Sequence, residues 1–408
     1  MIRLIKFFDR ITYWSIVILP FAMSIAPAPL SMAEGFIIAG FLAKKALKRE
    51  RLFPATALNL PLALLFIAAC LSFINTINTP DSIKGIFKLA RYIMIFFVLT
   101  EELRDRRHMQ RVLISAAAGV MLSSFDAAWQ VISGRDFIRG YLPVVNLGMV
   151  RATASFKDSN VLGIYLSAIA PLLFGMALYY FKKPKKSAMM ALSLIAIAGM
   201  LLTYSRPTLL AAYIALFFLA FARRDKRLIV FLVVFTLISP FIVPRAVKDW
   251  ARDVEYNPLR FMCNDDRIAV YRNSMHMIKD HPFIGVGVNT YMKNYGKYRE
   301  PVEYRGVVTK DYMYAHNNFI HMAGETGLIS LGIFLWLIWF LLAKSMAIYN
   351  KLDDGYYKIF SLSLSACLIA FLVNGLTESS LYYSRVAVIF WYLAGITLAF
   401  KRFIHADR

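Results

Sequence analysis

The sequence has 408 residues, of which 59% are apolar and 18% are charged, and its 47 Lys and Arg against 25 Asp and Glu give a formal net charge of +22. Soluble domains are about half apolar and about a quarter charged, so this composition excludes one soluble core and favours an integral membrane protein. The basic residues form short clusters between apolar runs, and this distribution argues against nucleic acid as the binding partner of the basic residues.

Twelve apolar runs predict an all-α integral membrane fold with about twelve transmembrane helices, because a backbone in lipid must satisfy its own hydrogen bonds. The predicted spans are 11–29, 30–44, 58–76, 84–101, 110–132, 160–181, 187–204, 207–222, 227–243, 320–344, 357–377 and 384–402. The fourth span is unusual because it carries Lys84, Lys88 and Arg91. We expect the first run, which follows Met1–Arg10, to be retained as a span and not cleaved as a signal.

Lys and Arg are distributed unequally between the two sides of the predicted spans. On one side every short loop carries three to five of them, whereas 27–33, 77–83 and 378–384 on the other side carry none. By the positive-inside rule the basic side is cytoplasmic. The sequence therefore predicts a multi-pass protein of an inner-type membrane, with both termini in the cytoplasm.

Two predicted external loops depart from this distribution. Residues 133–159 carry four Lys or Arg, and residues 244–319 carry twelve. Anionic lipid headgroups at the outer surface would explain this charge, and so would an anionic substrate handled on that face. The predicted organisation is nine transmembrane helices in 1–243, one large periplasmic loop in 244–319 and three transmembrane helices in 320–408.

The large loop contains apolar residues at helical spacing. The row at i, i+3, i+7 and i+10 consists of Ile268, Tyr271, Met275 and Ile278. Such spacing predicts an amphipathic helix. We expect this helix to lie on the membrane portion of the protein.

A first candidate site lies in the turn Thr203–Pro207, between the seventh and eighth predicted spans. Pro207 suits the first turn of the eighth helix, which places Arg206 at that helix N-terminus. Helix N-termini and guanidinium groups both favour phosphate. The competing interpretation is an anchor arginine that reaches lipid headgroups.

A second candidate site is the segment Arg151–Asn160, which leads into the sixth predicted span. Arg151 and Lys157 add further positive charge on the external side. Asp158 or Ser159 is expected to cap the helix that follows. For Asp158, capping is favoured over a catalytic role.

A third candidate site is Asn264–Ile268, where Asp265 or Asp266 is expected to cap a helix. Arg267 then lies in the first turn, where the helix dipole disfavours a cation, so the sequence hints at an anionic ligand there. Paired aspartates such as Asp265 and Asp266 also suit a divalent metal, although two adjacent carboxylates are a weak signal. The three cysteines are scattered and have neither metal-ligand nor disulfide spacing.

A fourth candidate site opens the tenth predicted span. Asn317, His321 and Glu325 share one helix face, and polar residues in a membrane helix are functional candidates by default. His316 lies just before that face, where a neutral histidine can accept a proton from a substrate hydroxyl. The alternative is a histidine at the helix entry that hydrogen-bonds to the loop. Zinc is not expected, because His316 and His321 are about 140° apart around a helix.

Together these segments resemble the O-antigen ligase and polymerase superfamily of bacterial envelope glycosyltransferases. The resemblance covers most of the chain in topology and is strongest over 151–163, 203–207 and 265–332. The family's His-Asn motif, followed after nine residues by a glycine pair, is similar to His316-Asn317 and Gly327. The second glycine of the pair departs from the family pattern, since it is Gly332 here.

This resemblance implies a GT-C-like membrane enzyme that uses a glycan carried on undecaprenyl pyrophosphate. It implies inversion at the anomeric carbon with no metal and no cofactor. It assigns Arg206 and Arg267 to the pyrophosphate, and His316 as the base or the residue that positions the acceptor. Arg151 and Lys157 are weaker members of the same basic site. The remaining candidates support the site and comprise Asn317, His321, Glu325 and Asp158.

The resemblance is compatible with two activities of the family, which differ in the acceptor. A ligase moves the glycan to the lipid A–core oligosaccharide, whereas a polymerase moves it to another lipid-linked repeat unit. The single long external loop favours the ligase, because many polymerases have two such loops. A transporter or flippase is the alternative from another class, but it predicts charges deep in the spans, whereas the unusual residues here cluster on the external side.

Overall fold

The computed structural model describes residues 1–146, 148–242, 245–302 and 304–404, and it is nearly all helical. Each predicted apolar segment coincides with a helix. The first nine are α1 (Ile2–Ile25), α2 (Pro27–Lys48), α3 (Asn59–Leu71), α4 (Thr79–Glu102), α5 (Arg106–Ser133), α6 (Ser159–Tyr179), α7 (Lys185–Leu202), α8 (Arg206–Ala222) and α9 (Lys226–Ile242). Four shorter helices follow, namely α10 (Arg245–Asp253), α11 (Pro258–Met262), α12 (Asp265–Asp280) and α13 (Tyr291–Tyr295). The last three are α14 (Asn318–Lys351), α15 (Tyr356–Asn374) and α16 (Ser384–Ala399).

The chain is a multi-pass membrane protein. Among the described residues, six helices are long and apolar enough to cross a membrane, and they are α5, α6, α7, α14, α15 and α16 with the turn that follows it. α8 is apolar but has 17 residues, which is shorter than a typical span. The total of twelve spans and the periplasmic loop stay predictions. The predicted boundary between residues 243 and 244 lies outside the described residues.

The core of the helix bundle is built around α6. This helix is buried at nearly every position and packs against α15, α7 and α8. A helix that is apolar on all sides belongs to the interior of a bundle. α6 therefore lies at the centre of the bundle, in contact with the helix that begins at Arg206.

Short elements connect the long helices at one end of the bundle. Strands β1 (Val144–Asn146) and β2 (Met149–Arg151) form an antiparallel hairpin between α5 and α6. Helices α10 to α13 lie between α9 and α14. We call this end, with the hairpin, the 203–206 turn, helices α10 to α13 and the 375–383 turn, the loop end.

The amphipathic helix predicted in the large loop exists as α12, but its buried face differs from the predicted one. The buried residues are Ala269, Val270, Asn273, Ser274 and Met277, whereas Met275 of the predicted row is 39% exposed. Two of the buried side chains are polar: Asn273 donates to the Tyr295 hydroxyl at 2.8 Å, and Ser274 bonds the Tyr291 hydroxyl. Apolar spacing cannot identify a face that is buried through hydrogen bonds.

α14 is interrupted at Gly327, which has a φ of 85° inside the helix. A Cβ atom at this position would lie 2.0 Å from the carbonyl oxygen of Phe283, so only glycine fits there. The break leaves helix carbonyls without their usual partners, and the amide of Val286 donates to the Gly324 carbonyl at 3.0 Å. The loop before α13 is thus fixed to the first section of α14.

The opposite end of the bundle carries ion pairs. Lys44 pairs with Glu102, and Lys45 pairs with Glu101. Arg104 donates from Nη1 to Asp9 Oδ2 at 2.8 Å. We call this end, which joins α2 to α3, α4 to α5 and α6 to α7, the ion-pair end.

Candidate active site

A cavity of about 230 Å³ lies at the loop end, between the start of α6, the start of α8 and α12. Its lining consists of Arg151, Asn160, Tyr204, Ser205, Arg206, Pro207, Met262, Asn264, Asp266, Arg267, Met313 and His316. The fold thus brings four of the predicted site residues, which are far apart in sequence, to one cavity.

Arg206 is the first residue of α8, and Pro207 lies in the first turn as expected. The guanidinium donates from Nη1 to the carbonyl oxygen of Phe261 and lies over the Phe261 ring, 5.2 Å from its centroid. The half-buried side chain therefore turns toward α11 at the cavity wall. This orientation differs from that of an anchor arginine extended toward headgroups.

Arg151 ends strand β2 and is held by two hydrogen bonds. Its Nε donates to the Thr203 carbonyl at 3.0 Å, and its Nη2 donates to Asn160 Oδ1 at 2.9 Å. Burial lowers the pKa of the Arg151 guanidinium, Asp158 partly offsets this effect, and the neighbouring Arg267 adds to it. The site therefore holds like charges close together, an arrangement that an anionic ligand would relieve.

Asp158 caps α6, which confirms the capping interpretation. Its Oδ1 accepts from the amides of Asn160 at 2.7 Å and Val161 at 3.1 Å. Lys157, in contrast, is exposed with a φ of 67° and does not line the cavity. The structure therefore does not bring Lys157 to the cavity with the other predicted phosphate-binding residues.

Glu378 is the member of the site that the sequence did not reveal. Arg267 donates from Nη2 to Glu378 Oε1, and His316 Nδ1 lies 3.2 Å from Glu378 Oε2. The Glu378 side chain is 2% exposed. Burial alone would raise the pKa of this carboxyl, but Arg267 and His316 hold it below its usual value. Glu378 is therefore an ionised carboxylate that bridges two predicted site residues. Arg267 is predicted to bind the pyrophosphate, and His316 is predicted to accept the proton.

One signal in the sequence points to Glu378. It is the single charged residue between Asn374 and Ser384. The positive-inside rule concerns only Lys and Arg, and the partners of Glu378 come from α12 and the end of the large loop. Sequence spacing does not predict such a contact.

His316 lies just before α14 with a φ of 50°, which is unusual for a residue with a side chain. Its carbonyl accepts from the Tyr271 hydroxyl at 3.0 Å, and this bond helps to maintain the backbone geometry. A Nδ1–H donated to Glu378 leaves Nε2 as the acceptor on the other side of the ring. His316 also lines the cavity, so the tautomer that Glu378 favours is the one suited to accept a proton there.

The two aspartates considered for a metal have separate roles. Asp265 accepts both Arg260 Nε at 3.0 Å and Arg260 Nη2 at 3.1 Å, whereas Asp266 lines the cavity and accepts from Asn264 at 3.2 Å. α12 begins after Asn264 rather than after either aspartate. Within the described residues, no group of three His, Cys, Asp or Glu could hold a metal ion.

The predicted polar face of the tenth span is present, but it lies outside the cavity lining. Asn317 caps α14 by accepting from the amides of Phe319 at 2.8 Å and Ile320 at 3.0 Å. His321 Nε2 lies 3.1 Å from Glu325 Oε2, one turn further along. Asn317 and His321 contact the turn that carries Glu378.

A comparison with known protein families matches a part of the chain that lines the cavity. Residues 191–337 match the family model described as O-Antigen ligase, a range that contains Arg206, Arg267 and His316. This match confirms the resemblance over those residues and supports a membrane glycosyltransferase-type function.

No curated protein matches the chain. A solved structure described as "Structural coordination of polymerization and crosslinking by a peptidoglycan synthase complex" is similar, with 17% sequence identity and a TM-score of 0.44. The alignment covers 84% of this chain and 97% of that chain.

Proposed function

We propose that this protein is an O-antigen ligase, which transfers a glycan from undecaprenyl pyrophosphate to the lipid A–core oligosaccharide on the periplasmic face of a bacterial inner membrane. The observation that carries the proposal is the cavity shared by Arg151, Arg206, Arg267 and His316. The O-antigen ligase family match over 191–337 supports it.

The arginines of the cavity provide the chemistry for the donor. Pyrophosphate leaves with its electron pair, and positive charge fixed in a poorly hydrated site stabilises the charge that develops on it. Arg206 adds the N-terminus of α8, where backbone amides also favour an anion. Arg267 is oriented by Glu378, so its guanidinium does not need to reorganise as the leaving group departs.

His316 is the general base in this proposal. Its Nδ1–H is donated to Glu378, and its Nε2 takes the proton of the acceptor hydroxyl. The acceptor oxygen then bonds to the anomeric carbon as the bond from that carbon to the pyrophosphate oxygen breaks. A single displacement of this kind inverts the anomeric carbon. The proposal includes no metal and no cofactor.

The proposed orientation places the loop end in the periplasm and both termini in the cytoplasm. The support for it is the density of Lys and Arg in the short loops of the ion-pair end, set against three bare loops at the other end. The donor then reaches the cavity with its polyprenyl chain among membrane lipids.

A lipopolysaccharide gel from a deletion strain tests the proposal. Loss of all ladder bands with accumulation of lipid-linked polymer is the result expected for a ligase. A single band of core plus one repeat unit would instead identify a polymerase that joins lipid-linked units. An unchanged ladder would contradict both activities and favour a transporter or flippase of another substrate.

A further inference from the structure

The turn that carries Glu378 is held by side chains from the start of α14. Asn318 donates from Nδ2 to the Ser380 hydroxyl at 2.8 Å and accepts from the Leu381 amide at 3.0 Å. Asn317 donates to the Leu376 carbonyl at 2.8 Å. Hydrogen bonds on both sides of Glu378 therefore restrict its backbone.

His321, also in the first section of α14, contacts the residue next to Glu378. Its Nδ1 lies 3.2 Å from the hydroxyl of Ser379, the next residue in the chain. Its ring stacks on Tyr382 with centroids 3.5 Å apart and on Tyr291 with centroids 4.2 Å apart. The opposite ring nitrogen faces Glu325, so both nitrogens and both ring faces of His321 have partners.

A lysine from a different helix completes this support. Lys88 of α4 donates from Nζ to the Tyr382 carbonyl at 2.8 Å. This contact gives a structural reason for a basic residue within the fourth predicted span. The turn is thus held from α14 and from α4, and Glu378 lies at its centre.

We propose that His321 is a positioning residue, which acts through Ser379 to hold the Glu378 carboxylate between Arg267 and His316. This inference rests on the proposed function, in which that carboxylate sets the tautomer of His316 and the orientation of Arg267. His321 is 1% exposed and does not line the cavity, so it does not touch the substrate.

The physical reason for this role is that the site tolerates only small displacements of its residues. A displacement of about 1 Å far from the reacting atoms can cost about 100-fold in rate. Loss of the His321–Ser379 contact allows the turn to shift, and Glu378 then no longer bridges Arg267 and His316 at hydrogen-bonding distance. The cavity walls formed by Arg151 and Arg206 do not depend on this contact, so donor binding is expected to persist.

Two substitutions test the proposal by steady-state kinetics with a polyprenyl-pyrophosphate glycan donor. His321→Phe keeps a flat ring between the tyrosines but removes both nitrogens. Ser379→Ala removes only the hydroxyl and leaves the His321–Glu325 pair intact, so it serves if the first variant folds poorly. We expect kcat to fall about 10- to 100-fold in each, with the donor KM changed by no more than about threefold.

A double-mutant cycle separates positioning from a general structural role. If His321 and Ser379 act through Glu378, adding Ser379→Ala to Glu378→Gln costs little further rate, because the carboxylate is already absent. Ser345→Ala is the matched control: it removes a buried α14 hydroxyl that contacts Ser365, away from the turn. It should leave kcat unchanged.

Additive losses in the double mutant, or an unchanged kcat in both single variants, would overturn the positioning role while the proposed function stands. Absence of transfer by the wild-type protein with any polyprenyl-pyrophosphate donor would overturn the proposed function itself, and this inference with it. The two failures are therefore distinguishable in one series of assays.

Discussion

The two ends of the bundle use charge in different ways. At the ion-pair end, Lys44 and Glu102 are each 6% exposed and face each other. Lys45 has its own carboxylate partner in Glu101. Because these cations meet anions of the same chain, their charge is used to join helices.

At the loop end, three arginines and His316 surround one cavity that has the carboxylates of Glu378 and Asp266 at its margin. Burial lowers the pKa of the Arg151 guanidinium, and the charge of the nearby Arg267 lowers it further. Positive charge in excess of its counter-charge weakens a fold unless a ligand supplies the difference. The ion-pair end therefore stabilises the protein, whereas the excess positive charge of the loop end supports the proposal that it binds an anion.

The largest effect on activity is expected from His316→Ala. Removal of a general base costs about 10²- to 10⁴-fold in rate, so glycan transfer should be abolished in practice. The protein should still accumulate in the membrane, since His316 does not join the long helices. Near-normal transfer, measured on lipopolysaccharide gels at matched protein level, would remove the catalytic role.

Arg267→Ala and Arg206→Ala should have the next largest effects. Each removes one cation from the proposed leaving-group site, and loss of a single donor from such a site costs about 10²- to 10³-fold in rate. Arg267→Ala should also lower thermal stability, because it leaves the buried Glu378 without that partner. Donor KM and kcat measure both variants, and unchanged kinetics would count against the phosphate site.

Lys44→Ala tests the ion-pair end. It removes one of the two cations paired with the buried Glu102, and Arg104 remains 3.0 Å away, so we expect a destabilisation smaller than the about 3–5 kcal/mol that follows loss of a sole partner. We expect a lower melting temperature in detergent but a kcat close to wild type for the protein that stays folded. A selective loss of kcat with normal melting would break the distinction between the two ends.

Lys157→Ala should have the smallest effect, although the sequence placed Lys157 with the other basic residues of the site. Substitution of an exposed side chain outside special contacts changes the free energy of unfolding by no more than about 0.5 kcal/mol, and Lys157 does not line the cavity, so kcat should stay close to that of wild type. The matched comparison is Arg151→Ala, which removes a cation that does line the cavity. Equal losses in the two variants would mean that the loop carrying Lys157 closes over the ligand.

The sequence predicted the helices well because each apolar run is long and continuous. Arg151, Arg206, Arg267 and His316 were predicted from their residue types and from the family resemblance, and the structure brings them to one cavity, while their roles stay predictions. It did not identify Glu378, whose partners are brought to it only by the tertiary fold. It also predicted the wrong face of α12, since that helix buries polar side chains.

The break at Gly327 has a mechanical consequence. A helix that spans a bilayer tilts as the hydrocarbon thickness changes, and an unbroken rod transmits that tilt along its full length. In α14 the first section is separated from the long apolar section at Gly327 and is fastened to the loop that precedes α13. The section that holds Asn318 and His321 is therefore not forced to follow the tilt of the span beneath it. We therefore expect the contacts of Asn318 and His321 with the Glu378 turn to persist in bilayers of different thickness.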